Sequence, residues 1–366
     1  MIIRDLIKRN KLVITALVLD IIMIFLIAFC QAHGQWVEAY YSKGLYPQIT
    51  RIISSLSDLI PFSLTEWALI ALIVLAVYYI SHVLISVFKG KERFLCSLKR
   101  LLKGTFVVGS FIITLFYLSW GINYFRVPLK KRIPFDQSKV NKTNLYHTLD
   151  KLITRANQLV DSKEPDFNTM NQLINRSISA VIKQIDGTKV YDYTAKRSKT
   201  LVFNVLMEKA LVSGFASPFF HEIHYDSRLF PPEIPFSLAH EKAHLNGYTG
   251  EGEANFIGYL ACMRSGNAYC EYSALVSVIN HFLSQISKYK ERDRYNEFHN
   301  RLDPGILKLY KAMNIRYRKN RGMLSRLQSK VYDKYLKINK VDKGVRDYSE
   351  VVTFILAYQQ ASPMTP

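Results

Sequence analysis

The sequence predicts an α-helical membrane region of three spans followed by a mainly α, α+β soluble domain with a short sheet beside a metal-motif helix. Three observations support that prediction. Apolar residues make up 49% of the 366 residues, yet the long apolar runs are confined to the first third. Past Asn123 the chain becomes charged and mixed, with apolar residues returning at helical spacing. The pentad His240-Glu241-Lys242-Ala243-His244 then sits inside a stretch that reads as a buried helix. The expected division is a transmembrane region over 1–125 and a soluble domain over 126–366.

Three runs approach the roughly 20 apolar residues that a helix needs to cross a hydrocarbon core: Leu12 to Cys30, Trp67 to Phe88 and Gly104 to Asn123. Asp20 interrupts the first run and, being costly in lipid, is expected to face another helix. That run is longer than a signal-peptide core, which favours an uncleaved anchor. Orientation follows from the distribution of Lys and Arg. Arg4, Lys8, Arg9 and Lys11 precede the first span, and Lys89, Lys91, Arg93, Lys99, Arg100 and Lys103 lie between the second and third. Only Lys43 and Arg51 lie between the first and second. The N-terminus is therefore expected in the cytoplasm of a multi-pass cell-membrane protein, with the soluble domain extracytoplasmic.

Beyond the spans, Pro128 and Pro134 mark a connector, and Leu145 to Val160 and Met170 to Ile185 read as amphipathic helices. Thr200 to Leu206 and Leu211 to Tyr225, rich in Val, Phe and Tyr, read as strands broken at Gly214 and Pro218. Pro231, Pro232 and Pro235 stiffen the approach to the motif helix, and the chain after Ser273 reads as helical nearly to its end. The four cysteines, Cys30, Cys96, Cys262 and Cys270, form neither a disulfide framework nor a CxxC site.

A helix places His240 and His244 on one face, where two neutral imidazoles can share an ion, zinc by default. Glu241, next to the first histidine, is then the candidate base that takes a proton from zinc-bound water. Gly247 suits a helix end with positive φ. A turn over 246–250 would fold a second helix, opening Glu251-Gly252-Glu253-Ala254-Asn255-Phe256, back along the first. That brings a carboxylate to the histidines and leaves one coordination position for water. Glu251 is favoured as third ligand, because Asn255 one turn on could support a ligand histidine; Glu253 is the alternative.

The Glu251-Gly-x-Ala254-x-Phe256 pattern after the histidine motif resembles the second helix of gluzincin metallopeptidases, whose downstream glutamate completes the zinc site. The resemblance implies a zincin-like soluble domain. The gap from His244 to Glu251 is shorter than in many gluzincins, and Gly250 stands where a metzincin would have its third histidine. A longer resemblance, to a bacterial membrane family known as domain of unknown function 3810, rests on several segments. These are Tyr41-Ser42-Lys43-Gly44-Leu45-Tyr46-Pro47, Pro61-Phe62-Ser63-Leu64, Trp120-Gly121-Ile122-Asn123-Tyr124 and Gly344-Val345-Arg346-Asp347-Tyr348-Ser349-Glu350-Val351-Val352, together with the zinc motif. It implies a membrane protein of HExxH type without naming a substrate.

In gluzincin-like folds a strand beside the zinc helix pairs with extended substrate. The resemblance therefore makes the segment of His221, His224 and Tyr225 a candidate substrate-binding edge, with His224 a possible contact. Tyr348 is a candidate oxyanion donor. The net charge of +20, with 18 Lys and Arg against 6 Asp and Glu over 288–346, suits anionic lipid or an acidic wall polymer. Nucleic acid is not expected outside the cell. The function expected is zinc-dependent hydrolysis of peptide bonds in a peptide or protein at the envelope. The competing reading is a non-catalytic zinc-containing envelope sensor or scaffold binding anionic surface polymers or lipids.

Overall fold

The computed structural model describes residues 10–90, 94–187, 196–338 and 350–358. Helix α1 (Lys11–Ala32) leads into a helical stretch over 34–58, wound as a π-helix over Val37–Leu45 before α2 (Tyr46–Asp58). Two long helices follow, α3 (Leu64–Phe88) and α4 (Phe94–Ser119). Among the described residues α1, α3 and α4 are long and apolar enough to cross a membrane. Most of their side chains are left exposed by the rest of the described residues, as helices in contact with lipid would be. Asp20 of α1 accepts a hydrogen bond from Ser110 of α4 (2.9 Å), the helix-to-helix partner an intramembrane carboxylate requires.

The third apolar helix starts at Phe94 rather than Gly104, so Lys99, Arg100 and Lys103 ride on its first turns instead of in a loop. Apolar content located the lipid-facing part but not these turns, because basic residues are good helix formers.

The rest of the chain is mostly helical: α5 (Lys142–Gln158), α6 (Phe167–Asp186), α7 (Val205–Ala210), α8 (Ile234–Leu245), α9 (Glu251–Met263), α10 (Ala268–Lys288), α11 (Arg292–Asn300), α12 (Pro304–Asn320), α13 (Met323–Ile338) and α14 (Glu350–Ala357). Side chains of Asn141, Asp166 and Asn267 cap α5, α6 and α10 by accepting backbone N–H bonds. Helices α8 and α9 are buried on almost every face and form the centre of the core, packed by α6, α10 and α14. Leu238, Ala239, Ala243, Phe256, Ile257 and Leu275 are fully buried there.

A three-stranded sheet lies beside α8 in the order β1 (Ser198–Lys199), β3 (Ile223–Tyr225), β2 (Gly214–Ala216). β1 runs parallel to β3 and β2 antiparallel, with Phe215 opposite His224. Two expectations change here. The Thr200 to Leu206 strand is replaced by a turn over 202–204 that leads into the short helix α7, and Leu211 to Tyr225 yields two three-residue strands around a turn. The β-branched and aromatic residues of 200–206 lack a sheet to join; Val202 and Phe203 instead bond through their N–H groups to Glu66 at the start of α3.

The stretch over 34–58 is built onto the α8–α9 core. Tyr46 donates to the carbonyl of Leu245 (2.5 Å), Ser42 to Asn123 (2.8 Å) and Ser57 to the carbonyl of Phe220 (2.5 Å). Arg126 is buried and bridges Glu38, Asp186 and the carbonyl of Gly247, with the Tyr248 ring beneath its guanidinium. Burial disfavours the charged forms, but the Arg126 and Arg132 guanidiniums outweigh it and hold the Glu38 and Asp186 carboxyls below the ordinary range. All four cysteines are free thiols, three of them buried.

Candidate metal centre

Helix α8 begins with Pro235 in its first turn and ends at Leu245, where Gly247 takes φ +81° and reverses the chain. A Cβ on Gly247 would also come within 3.0 Å of the Asn123 side chain, so the turn is seated on the end of the third apolar helix. The reversal lays α9 against α8 and brings Glu251, at its first residue, level with the two histidines.

His240, His244 and Glu251 are buried, and their donor atoms form a group that could hold a metal ion. The Nε2 atoms of the histidines lie 3.0 Å apart, and Glu251 Oε2 is 3.3 Å from His240 Nε2 and 3.6 Å from His244 Nε2. A tetrahedral ion with ligand bonds of about 2.0–2.1 Å separates its donor atoms by about 3.3 Å. Those three edges match it. Glu251 Oε2 is a buried acceptor without a hydrogen bond among the described residues, and its other oxygen accepts from the Tyr332 hydroxyl. His244 Nδ1 is 2.8 Å from the carbonyl of Tyr248, which holds a proton on Nδ1 and points Nε2 toward the shared position.

The electrostatics separate the two carboxylates. Burial opposes ionisation of Glu251, but the adjacent His244 and His240 hold its carboxyl well below the usual range. Burial also disfavours a charged His244, and the Glu251 carboxylate outweighs it, raising the imidazole to about 9. For Glu241 burial wins and its pKa rises, despite both histidines and a hydrogen bond from the Ala216 N–H. A carboxylate raised in this way is a better proton acceptor at neutral pH than an exposed one. Lys242 is fully buried; burial pulls its pKa down to about 7 against the attraction of Asp58.

The group borders a cleft of about 780 Å³ walled by β2, α8, α10 and α13. Gly214 of β2 packs on Glu241: a Cβ there would come within 2.7 Å of Glu241 Cγ and 2.8 Å of the His224 carbonyl. His281 of α10 lines the cleft too, its pKa lowered to about 4 by burial and by His240, so it is neutral at physiological pH.

Glu251 rather than Glu253 therefore converges on the histidines. Glu253 turns away and accepts the backbone N–H of Leu129 (2.6 Å). Asn255 lines the cleft, but its Nδ2 makes no hydrogen bond among the described residues, and the Tyr248 carbonyl provides the histidine support expected of it. His224 does not reach the cleft. It lies on the central strand, stacked on Phe215 (4.3 Å) and hydrogen-bonded to Ser63 (2.8 Å), because the strand order makes β2 the edge. Tyr348 lies outside the described residues. The sequence carries no signal for Tyr332 or His281 at the site, and it marks Gly214 only as a strand breaker and Trp120 only within the Trp120–Tyr124 segment.

A family model described as "Protein of unknown function (DUF3810)" matches residues 41–356. No curated protein and no solved structure matches the chain.

Proposed function

The chain belongs to the DUF3810 family of proteins of unknown function, and from that premise we propose that it is a membrane-anchored zinc metallopeptidase hydrolysing peptide bonds at the cell envelope. The observation that carries the reading is the convergence of His240 Nε2, His244 Nε2 and Glu251 Oε2 at near-tetrahedral spacing beside an open cleft. Two imidazoles and one carboxylate suit zinc among the common divalent ions. An ion held there would supply Lewis acidity, acidifying water and polarising a peptide carbonyl.

The chain's own groups account for the remaining work. Glu241 accepts the proton of the attacking water and returns it to the leaving amine. The Ala216 N–H and the close packing of Gly214 hold that carboxylate at the base of β2. As the edge strand on the cleft, β2 offers backbone groups to an extended peptide. The distribution of Lys and Arg supports an N-terminus in the cytoplasm and a cleft outside it.

Metal content of the purified full chain tests the site. About one zinc per chain is expected for wild type and Glu253→Gln, with loss in His240→Ala and Glu251→Ala. Glu241→Gln should keep the ion and lose peptide hydrolysis. Zinc retained in Glu251→Ala, or hydrolysis undiminished in Glu241→Gln, would overturn the assignment.

A second reading, a non-catalytic zinc-containing sensor or scaffold, draws on the complete burial of Glu251 under Tyr332. It expects zinc to be needed for folding and no cleavage across a broad peptide library.

A further inference from the structure

Helix α13 spans the distance between the ends of two apolar helices. Near its C-terminal end, the Tyr335 ring packs 6.1 Å from that of Phe116 in the last turn of α4, and the Tyr335 hydroxyl accepts from Tyr124 (3.1 Å). The helix also packs on α7. The residues just before α7 are tied to the first turn of α3, since Glu66 accepts the N–H groups of Val202 and Phe203 (2.8 Å each). Chain direction puts the start of α3 and the end of α4 at one membrane surface, because α3 leaves that surface and α4 returns to it. Helix α13 therefore lies along the surface, not above it.

Its exposed side chains are distributed accordingly. Met323, Leu324, Leu327 and Val331 form one helical stripe and are 81%, 40%, 56% and 59% exposed. On α7, which α13 contacts, and just before it, Leu206, Val202 and Phe203 are all more than half exposed. Exposed Arg326, Lys330 and Lys334 repeat one turn apart along a neighbouring face. An apolar stripe flanked by a basic one is the pattern of a helix lying in the headgroup and acyl boundary.

We propose that α13, with the Val202–Leu206 segment, docks on the lipid bilayer itself. The apolar stripe enters the acyl boundary and the basic side chains meet anionic headgroups. The occupant is lipid rather than protein because the Val202–Phe203 segment is bonded to the first turn of the apolar helix α3 and the patch carries the cations that phosphates attract. The consequence concerns the cleft: α13 is one of its walls, and Tyr332 on that wall bonds Glu251. The bilayer therefore backs the cleft. This inference does not depend on the metal or on hydrolysis.

Site-directed spin labelling of the full chain tests it. Single labels at Phe203, Leu327, Val331 and Lys330 are placed in a Cys96→Ser background, since Cys96 is the exposed native thiol among the described residues. The protein is reconstituted in vesicles of phosphatidylcholine and phosphatidylglycerol, and collisions with oxygen and with a water-soluble nickel chelate are compared. The oxygen-to-nickel ratio should be several-fold higher at Phe203, Leu327 and Val331 than at Lys330. Nickel accessibility at Leu327 and Val331 equal to that at Lys330 would place the helix in water. Exclusion of both reagents at those positions would mean that protein covers it. Either result overturns the proposal. All four positions are exposed side chains, so labelling leaves the fold intact, and a monodisperse elution profile checks this.

Discussion

Trp120 donates its indole N–H to the carbonyl of His244 (3.0 Å), bonding the residue that follows the third apolar helix to one of the paired histidines. More than one hundred residues of sequence separate them, yet the cleft opens at the end of that helix, with Trp120 and Tyr124 in its lining. Sequence distance from the last span therefore says little about height above the membrane. Trp120→Phe keeps the ring packing and removes this bond, while the carbonyl still accepts the Gly247 N–H (2.9 Å), so the cost is that of one hydrogen bond, about 0.5–1.5 kcal/mol. The thermal midpoint in detergent should fall while zinc stoichiometry stays near wild type. An unchanged midpoint would show that the bond contributes nothing to the seating of α8.

Tyr332 governs the third member of the metal group. Its hydroxyl donates to Glu251 Oε1, leaving Oε2 for the ion. Tyr332→Phe removes that donor and should weaken zinc binding by about 10–100-fold, the usual effect of losing a partner behind a ligand. Competition with a chelator of known affinity measures it. Equal affinity in both proteins would mean that the hydroxyl does not orient the carboxylate.

Much of this site was legible in the sequence, and what was missed has physical causes. The paired histidines, the reversal at Gly247 and the return of Glu251 are local consequences of helical periodicity and one positive-φ residue, all within a dozen positions. Leu145 to Val160 and Met170 to Ile185 likewise fall on α5 and α6, because amphipathic spacing is a property of each segment alone. His224 was misplaced because strand order decides which strand is the edge, and order is set by non-local pairing. Tyr332 and Trp120 reach the cleft from distant segments, and no periodicity encodes that. Glu251 and Glu253, two residues apart, face opposite sides of α9, and only the docking of α9 decides that one meets the histidines and the other the Leu129 N–H.

Gly214 offers a test of Glu241 that leaves the carboxylate in place. The Cβ of Gly214→Ala would sit 2.7 Å from Glu241 Cγ and 2.8 Å from the His224 carbonyl. Backbone on one side leaves the Glu241 side chain as the part that moves. Peptide hydrolysis should drop by at least tenfold, about 1.4 kcal/mol or more in the barrier, with zinc retained. Wild-type turnover in this variant would show that the position of Glu241 is not critical.

His221 makes the join between the 34–58 stretch and the sheet sensitive to acid. The side chain is fully buried, with Nδ1 3.0 Å from the Thr50 hydroxyl and its ring 5.9 Å from that of Tyr46. Burial lowers its pKa from 6.5 to about 4, so the folded chain holds it neutral where the unfolded chain would protonate it. Between those values the unfolded state binds the extra proton, and stability therefore rises with pH. The contribution is complete above about 6.5, is lost as pH falls toward 4, and amounts to about 3 kcal/mol at most. His221 sits at φ +50°, a conformation asparagine tolerates well, which makes His221→Asn the suitable replacement. Thermal midpoints from pH 7 to pH 4 should fall less steeply in His221→Asn than in wild type, while the two proteins differ little in slope above pH 7. Parallel curves across the acid range would show that this histidine is not the proton acceptor at the join.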